Sequence, residues 1–177
     1  DRQMIMFSRH VIQSSPNAKI VFDVKCSKLL SDEIEKLNGK PLISKTGHTF
    51  IKQKIRETNA LLGGEMSGHI FFNDRWPGFD DGIYAGARML EIIANSEQED
   101  LFVTVPNMLS TPEINIPAGD EEKFQIVKTF IENSNFNDAK IVSIDGIRVE
   151  FEKGWGLLRP SNTSPCLVLR FEAETND

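Results

Sequence analysis

Glu65 stands in the polar run Gly63-Gly64-Glu65-Met66-Ser67-Gly68-His69, between the apolar triplets Ala60-Leu61-Leu62 and Ile70-Phe71-Phe72. Its carboxylate can accept from two neighbouring hydroxyls at once. The three glycines permit backbone conformations closed to other residues and let a ligand approach the main chain. Such a loop suits a polyhydroxylated ligand; the plainer alternative is a hairpin turn carrying a surface glutamate. A second cluster, Arg159, Ser161, Asn162 and Thr163, puts a guanidinium, two hydroxyls and an amide within five residues, braced by Pro160 and Pro165. A phosphate has matching needs, because arginine binds paired oxygens as a fork while hydroxyls and main-chain N–H groups meet the remaining ones. A capped surface turn uses the same residue types.

The elements that must position these loops are read from periodicity. Arg2 to Gln13 sets Met4, Ile5, Phe7, Val11 and Ile12 on one helical face, and Lys19 to Asp23 is a short buried strand. Lys28 to Leu37 is a second helix with Gly39 as its C-cap, followed by a strand at Pro41 to Ser44. Lys45-Thr46-Gly47-His48 opens a basic helix whose Phe50, Ile51 and Ile55 face inward. Asp80-Asp81 starts a strongly apolar helix, Ile83 to Ala94, rich in small residues where it must pack closely. This alternation predicts a three-layer α/β/α domain with a parallel sheet, whose ligands gather beyond the strand C-terminal ends. Lys25, Lys45 and Glu65 all lie at or just past such ends.

Asn95 to Pro117 is acidic and then proline-bearing, which reads as a linker; the expected domains are 1–109 and 110–177, with the boundary near Leu109 to Thr111. Beyond it come an amphipathic helix, Asp120 to Asn133, and strands at Lys140 to Ile144, Ile147 to Phe151 and Cys166 to Ala173. Asp145-Gly146 joins the first two of these strands as a hairpin turn. The second domain is therefore expected to be a small α+β unit, a helix packed on an antiparallel sheet.

A net charge of −6 on 177 residues disfavours nucleic acid and anionic membranes as partners, and no apolar run approaches the roughly 20 residues of a membrane span. Cys26 and Cys166 lie far apart in apolar runs, so they read as buried free thiols in a reducing compartment, which points to the cytoplasm. The chain opens at Asp1 without a methionine or a signal-peptide pattern and is expected to be part of something longer.

Taken together, Phe22 to Lys25, Lys45 to His48, Gly64 to His69 and Arg159 to Pro165 resemble four ordered motifs of the phosphohexomutase family, in its phosphomannomutase/phosphoglucomutase branch. Phe-Asp-Val-Lys, Lys-Thr-Gly-His, the sugar-specificity loop Gly-Glu-Met-Ser-Gly-His and the phosphate loop Arg-x-Ser-Asn-Thr-x-Pro all stand intact. The phosphoglucosamine branch is similar but has Gln and Gly where this chain has Met66 and Asn162, which favours mannose and glucose phosphates. The resemblance covers the family's third and fourth domains. It implies that Glu65 and Ser67 bind sugar hydroxyls and that the Arg159 loop binds the non-transferring phosphate. Lys25, Lys45, His48 and His69 would assist with charge at the reacting end. Arg148 is a weaker second cation, His10 carries no role, and Trp76 and Trp155 read as packing residues rather than sugar platforms.

The family's phosphoserine loop and its Asp-Gly-Asp-Gly-Asp-Arg loop for Mg²⁺ do not occur in this chain. What the resemblance implies is therefore the recognition half of an enzyme that interconverts hexose 1- and 6-phosphates. The catalytic phosphoserine and Mg²⁺ would come from an N-terminal half of the same protein, with a glucose 1,6-bisphosphate-type activator, and this chain alone would be inactive. The family's fourth domain usually ends in a closing helix, and this chain stops at Asp177 before it, so that domain is expected to be truncated. The competing class is a stand-alone, non-catalytic module that binds sugar phosphates or a partner.

Overall fold

In the computed structural model, which describes residues 1–97 and 101–175, the run Lys19–Asp23 forms β1 at the centre of a four-stranded sheet. Beside it lie β2 (Lys40–Ser44) and β3 (Leu62–Gly64), both parallel to β1 and in register with it from Lys19↔Lys40 and Ile20↔Leu62. The outer strand β4 (Ile70–Phe72) runs antiparallel to β3, unlike the all-parallel sheet the alternation predicts. The five residues between β3 and β4 are too few for a crossover, so the chain can only turn back on itself. The far edge of β4 is partly covered, since Phe71 bridges to Asp80. Pro41 sits within β2 at the opposite edge.

Side chains alternate across β1. Ile20 and Phe22 enter a core built with α1 (Arg2–Ser14), α2 (Lys28–Lys36) and α4 (Gly82–Ala94), while Val21 enters a smaller core with Ile51 and Ile55 of α3 (His48–Thr58). This is the three-layer α/β/α arrangement. Three local readings are corrected. Asn38, at φ 61°, takes the left-handed position after α2, whereas Gly39 has ordinary φ and is needed for space: a Cβ there would stand 2.6 Å from Ile12 Cδ1. Phe50 is 41% exposed and lies under the Lys45 ammonium instead of facing inward. Helix α4 buries only Ala85 and Arg88, leaving Ile83 89% and Leu90 68% exposed.

The first unit spans Asp1–Asn107 and the second Met108–Asp177. The second unit packs α5 (Glu122–Asn133) on one antiparallel sheet ordered β5-β10-β9-β8-β7. Its strands are β5 (Leu109–Ser110), β6 (Ile114–Pro117), β7 (Lys140–Val142), β8 (Ile147–Glu150), β9 (Gly154–Pro160) and β10 (Cys166–Ala173). The C-terminal end of the stretch read as linker thus contains two short strands, because β5 and β6 pair along one edge of β10. β9 is a strand beyond those expected from the sequence; it is hydrogen-bonded on both sides, by β8 and β10. Cys166 is half-buried, not buried, and Cys26 is buried.

Gly63 and Gly64 show where helices press on the sheet. Both lie within β3 with ordinary φ, so close packing, and not conformational freedom, selects glycine there. A Cβ on Gly63 would fall 2.6 Å from Ile55 Cδ1 of α3, and one on Gly64 would collide with Met4 of α1 on the opposite face. Gly63→Ala is expected to cost about 1–3 kcal/mol by overpacking. Adding Ile55→Val, which removes the nearest atom, should recover part of that loss. Urea unfolding of the two single variants and the double variant measures the coupling; strict additivity would contradict the contact.

Candidate functional site

Three strand ends place the first group of predicted residues. Past β1 come Val24 and Lys25; past β2 comes the Lys45-Thr46-Gly47 turn into α3; past β3 comes the Glu65 loop. The loop is tight: Glu65 N–H donates to the His69 carbonyl (2.9 Å) and Gly68 N–H to the Glu65 carbonyl (3.0 Å), with Gly68 at φ 101°. Glu65 is the loop's inward group, at 3% exposure, whereas Ser67, Gly68 and His69 are exposed. A surface glutamate on a turn, the plainer alternative, is not what forms.

Glu65 Oε2 accepts from the Gly47 N–H at 3.0 Å, at the N-cap of α3, where unpaired amides and the helix dipole favour an anion. Gly47 needs its glycine, since it sits at φ 127°. Glu65 Oε1 is buried with no hydrogen-bond partner. Burial raises the Glu65 carboxyl above the usual carboxylate range, and the Asp23 charge raises it further; the Gly47 N–H, His69 and Lys25 act in the other direction. His69 Nδ1 is 2.7 Å from Asp80 Oδ2, and the His48 and His69 rings stand 6.3 Å apart. Lys25 is buried and Lys45 exposed. Asp23, quoted in the Phe-Asp-Val-Lys motif without a role, is fully buried. Its Oδ1 accepts from Cys26 Sγ–H and from the Met66 N–H, each at 3.2 Å, and its Oδ2 from the Thr46 hydroxyl at 3.2 Å. A carboxylate closing an otherwise apolar buried strand was the available signal.

In the second unit, β9 delivers Arg159 and the loop that follows is braced from within. Ser161 Oγ accepts from the Thr163 and Ser164 N–H groups at 3.3 and 3.1 Å, and Ser161 N–H donates to the Cys166 carbonyl at 3.0 Å. Buried Lys123 of α5 donates to the Ser164 carbonyl at 2.9 Å, a support the sequence did not reveal. Asn162 and Thr163 are exposed. Arg159 is 4% exposed, and Asp145 grips its Nε–H (3.0 Å) and one Nη2–H (3.4 Å). This side-on pairing leaves Nη1 and the second Nη2–H outside it, which is the end-on edge that suits a bidentate anion. Asp145-Gly146 reads as a hairpin turn; its aspartate also orients Arg159.

Arg148 lies with its guanidinium 3.8 Å from the Trp155 ring centre and its Nε bonded to Glu150 at 2.7 Å. Trp155 is buried, and Trp76 stacks on Tyr84 at 4.6 Å. An apolar cavity of about 450 Å³ lies over this sheet, lined by Phe130, Phe136, Ile147, Trp155 and Phe171 among others, and its surface offers almost nothing to a phosphosugar. No described helix is long and apolar enough to cross a membrane.

Residues 1–107 match the family model for phosphoglucomutase/phosphomannomutase alpha/beta/alpha domain III, and residues 113–177 the model for the phosphoglucomutase/phosphomannomutase C-terminal domain. The chain belongs to the phosphoglucomutase/phosphomannomutase family. A phosphomannomutase/phosphoglucomutase of Pseudomonas syringae is 52% identical over 177 residues, covering 99% of this chain and 38% of that protein. A phosphoglucomutase of Neisseria gonorrhoeae is 48% identical over 179 residues, covering 99% of this chain and 39% of that protein. The crystal structure of a phosphoglucomutase/phosphomannomutase family protein from Burkholderia thailandensis aligns with a TM-score of 0.91 at 45% identity, over 99% of this chain and 37% of that one. The chain therefore spans under two-fifths of the length of these relatives and corresponds to their C-terminal part. The stand-alone module has no support, since the relatives are longer phosphohexomutases. Among the described residues no three His, Cys, Asp or Glu side chains converge as metal ligands.

The raised Glu65 carboxyl has a consequence for stability. An acid whose pKa rises on folding favours the folded state when protonated; that contribution is complete below its unfolded pKa and is lost as pH rises through the folded value. At neutral pH, ionised Glu65 therefore destabilises the fold. Glu65→Gln is expected to raise the melting temperature at neutral pH, because it removes the buried charge. The gain should vanish in acid, where the wild-type carboxyl is protonated too. Thermal scans at both pH values check this, and an equal gain at both contradicts it.

Proposed function

We propose that this chain is the sugar- and phosphate-recognition half of a phosphomannomutase/phosphoglucomutase that interconverts hexose 1-phosphate and hexose 6-phosphate. The observation that carries this reading is Glu65: a buried carboxylate at the C-terminal ends of parallel strands, anchored through one oxygen by Gly47, with the other oxygen unpartnered. An acceptor prepared in this way calls for hydroxyl donors from outside the chain. Glucose and mannose differ at C2 and share O3 and O4, so a carboxylate on that pair tolerates both sugars. Ser67, exposed beside Glu65, supplies a second sugar contact.

Around Glu65, Lys25, Lys45, His48 and His69 offset negative charge on a phosphosugar, with Asp80 fixing the ring of His69. In the second unit, the end-on edge of Arg159, the loop amides and the side chains of Ser161, Asn162 and Thr163 bind phosphate. The phosphoserine, the Mg²⁺ and the response to a glucose 1,6-bisphosphate-type activator belong, on this reading, to the N-terminal half of the same protein, working in the cytoplasm.

Two substitutions in the full-length protein test the assignment. Glu65→Ala is expected to lower kcat/KM by roughly 2–4 kcal/mol in transition-state terms, because hydroxyl bonds to a charged acceptor are worth about 1.5–3 kcal/mol each and add incompletely. A loss below about threefold for both glucose and mannose phosphates, well under 1 kcal/mol, would remove Glu65 from the site. Arg159→Ala should weaken phosphosugar binding, measured by calorimetry, by about 1.5–3 kcal/mol. Unchanged affinity would leave the loop as a capped turn.

A further inference from the structure

Asp23 is a charge where the fold has no evident need of one. It ends the central strand at zero exposure, and a buried carboxylate is destabilising unless every lone pair is matched. All three of its observed partners are neutral donors: Cys26 Sγ–H and the Met66 N–H on Oδ1, and the Thr46 hydroxyl on Oδ2. An asparagine in the same rotamer would keep both Oδ1 bonds and turn the third around, since a hydroxyl can accept from Nδ2–H. The bonding pattern alone therefore does not require the negative charge. The two segments it ties are the ones that hold Glu65. Met66 is the next residue in the loop, and Thr46 precedes Gly47, whose N–H anchors Glu65 Oε2.

We propose that Asp23 is the positioning residue of the Glu65 loop, a buried carboxylate that pins the main chain at Met66 and the hydroxyl at Thr46 and so sets the placement and acceptor strength of the Glu65 carboxylate. The inference rests on the reading of Glu65 as the acceptor for sugar hydroxyls. A like charge on the neighbouring strand end makes Glu65 a more basic, and hence stronger, acceptor, in line with the upward push that Asp23 exerts on its carboxyl. The other charged or titratable groups around Glu65 are Lys25 past β1, His69 in its own loop, and the exposed Lys45 and His48 flanking Gly47. Lys25 and His69 oppose the effect of Asp23.

The test uses full-length protein with carbon-13 in its glutamate carboxyl groups, comparing wild type with Asp23→Asn, and Glu65→Gln to identify the Glu65 signal. Asp23→Asn should move the NMR titration midpoint of Glu65 down, as the loss of one nearby like charge requires. It should also weaken glucose 1-phosphate binding several-fold while the protein remains folded by circular dichroism. A midpoint that stays at the wild-type value overturns the inference, because a purely structural aspartate would leave it there. An unfolded Asp23→Asn overturns it as well, since the inference holds that the charge is dispensable to the fold. Failure of the underlying reading is seen separately: Glu65→Gln would then bind glucose 1-phosphate like wild type, whatever Asp23→Asn does to the titration.

Discussion

Strand β1 is hydrogen-bonded along both edges and covered by helices on both faces, so its backbone groups have no water to turn to and its register with β2 and β3 is set by them. The strand ends at Asp23, and the neighbouring strands end beside it, at Ser44 and Gly64. The polar segments that leave these ends therefore start from fixed points a few ångströms apart. That shared origin brings residues 23, 47 and 65 together from three distant parts of the sequence. The apolar core supplies the rigidity, and the three loops contribute only the last few bonds.

The second unit solves a related problem with a different material. Its sheet buries Arg148, Glu150, Arg170 and Glu172 around Trp155, whose Nε1–H donates to Glu172 at 2.8 Å while two guanidinium groups lie by its ring. Buried charges such as these are retained only when paired, and here the pairs run along single strands, from 148 to 150 and from 170 to 172. β8 and β10 are stiffened on either side of β9, the strand that carries Arg159. Asp145 then adds orientation from the hairpin turn, so the guanidinium reaches the loop with its direction already set.

Much of this was legible in the sequence. The helical face of α1, the strand at Lys19–Asp23 and the turn into α3 follow from periodicity and capping chemistry, and the loop motifs named the family. What escaped has identifiable causes. The sequence around Gly63 and Gly64 suggests conformational freedom, yet helices on both faces leave no room for a Cβ, and such crowding is a tertiary fact. Gly154, Gly156 and Pro160 disguise β9, which forms because partners on both sides supply its hydrogen bonds. Prolines likewise hid β6, although Ile114 and Ile116 alternate as a strand should. Helix α4 is apolar without being buried, and its buried charge, Arg88, pairs with Asp74 at 2.7 Å under the Phe72 ring. In the sequence Asp23 and Asp145 stand only as motif and turn residues, since nothing local distinguishes a carboxylate that orients a neighbour from one that faces water.

The two margins of the four-stranded sheet each carry a backbone obstacle. On β2 it is Pro41, which has no N–H and is tolerated in a sheet only where that side faces outward. On β4 it is the segment that returns to bridge Phe71 through Asp80. Strand-by-strand growth of an aggregate needs an uninterrupted row of unsatisfied N–H and C=O groups to copy. Each margin interrupts such a row, so the Asp80 that pairs with His69 also breaks the edge at which fibrillar assembly of this unit would begin.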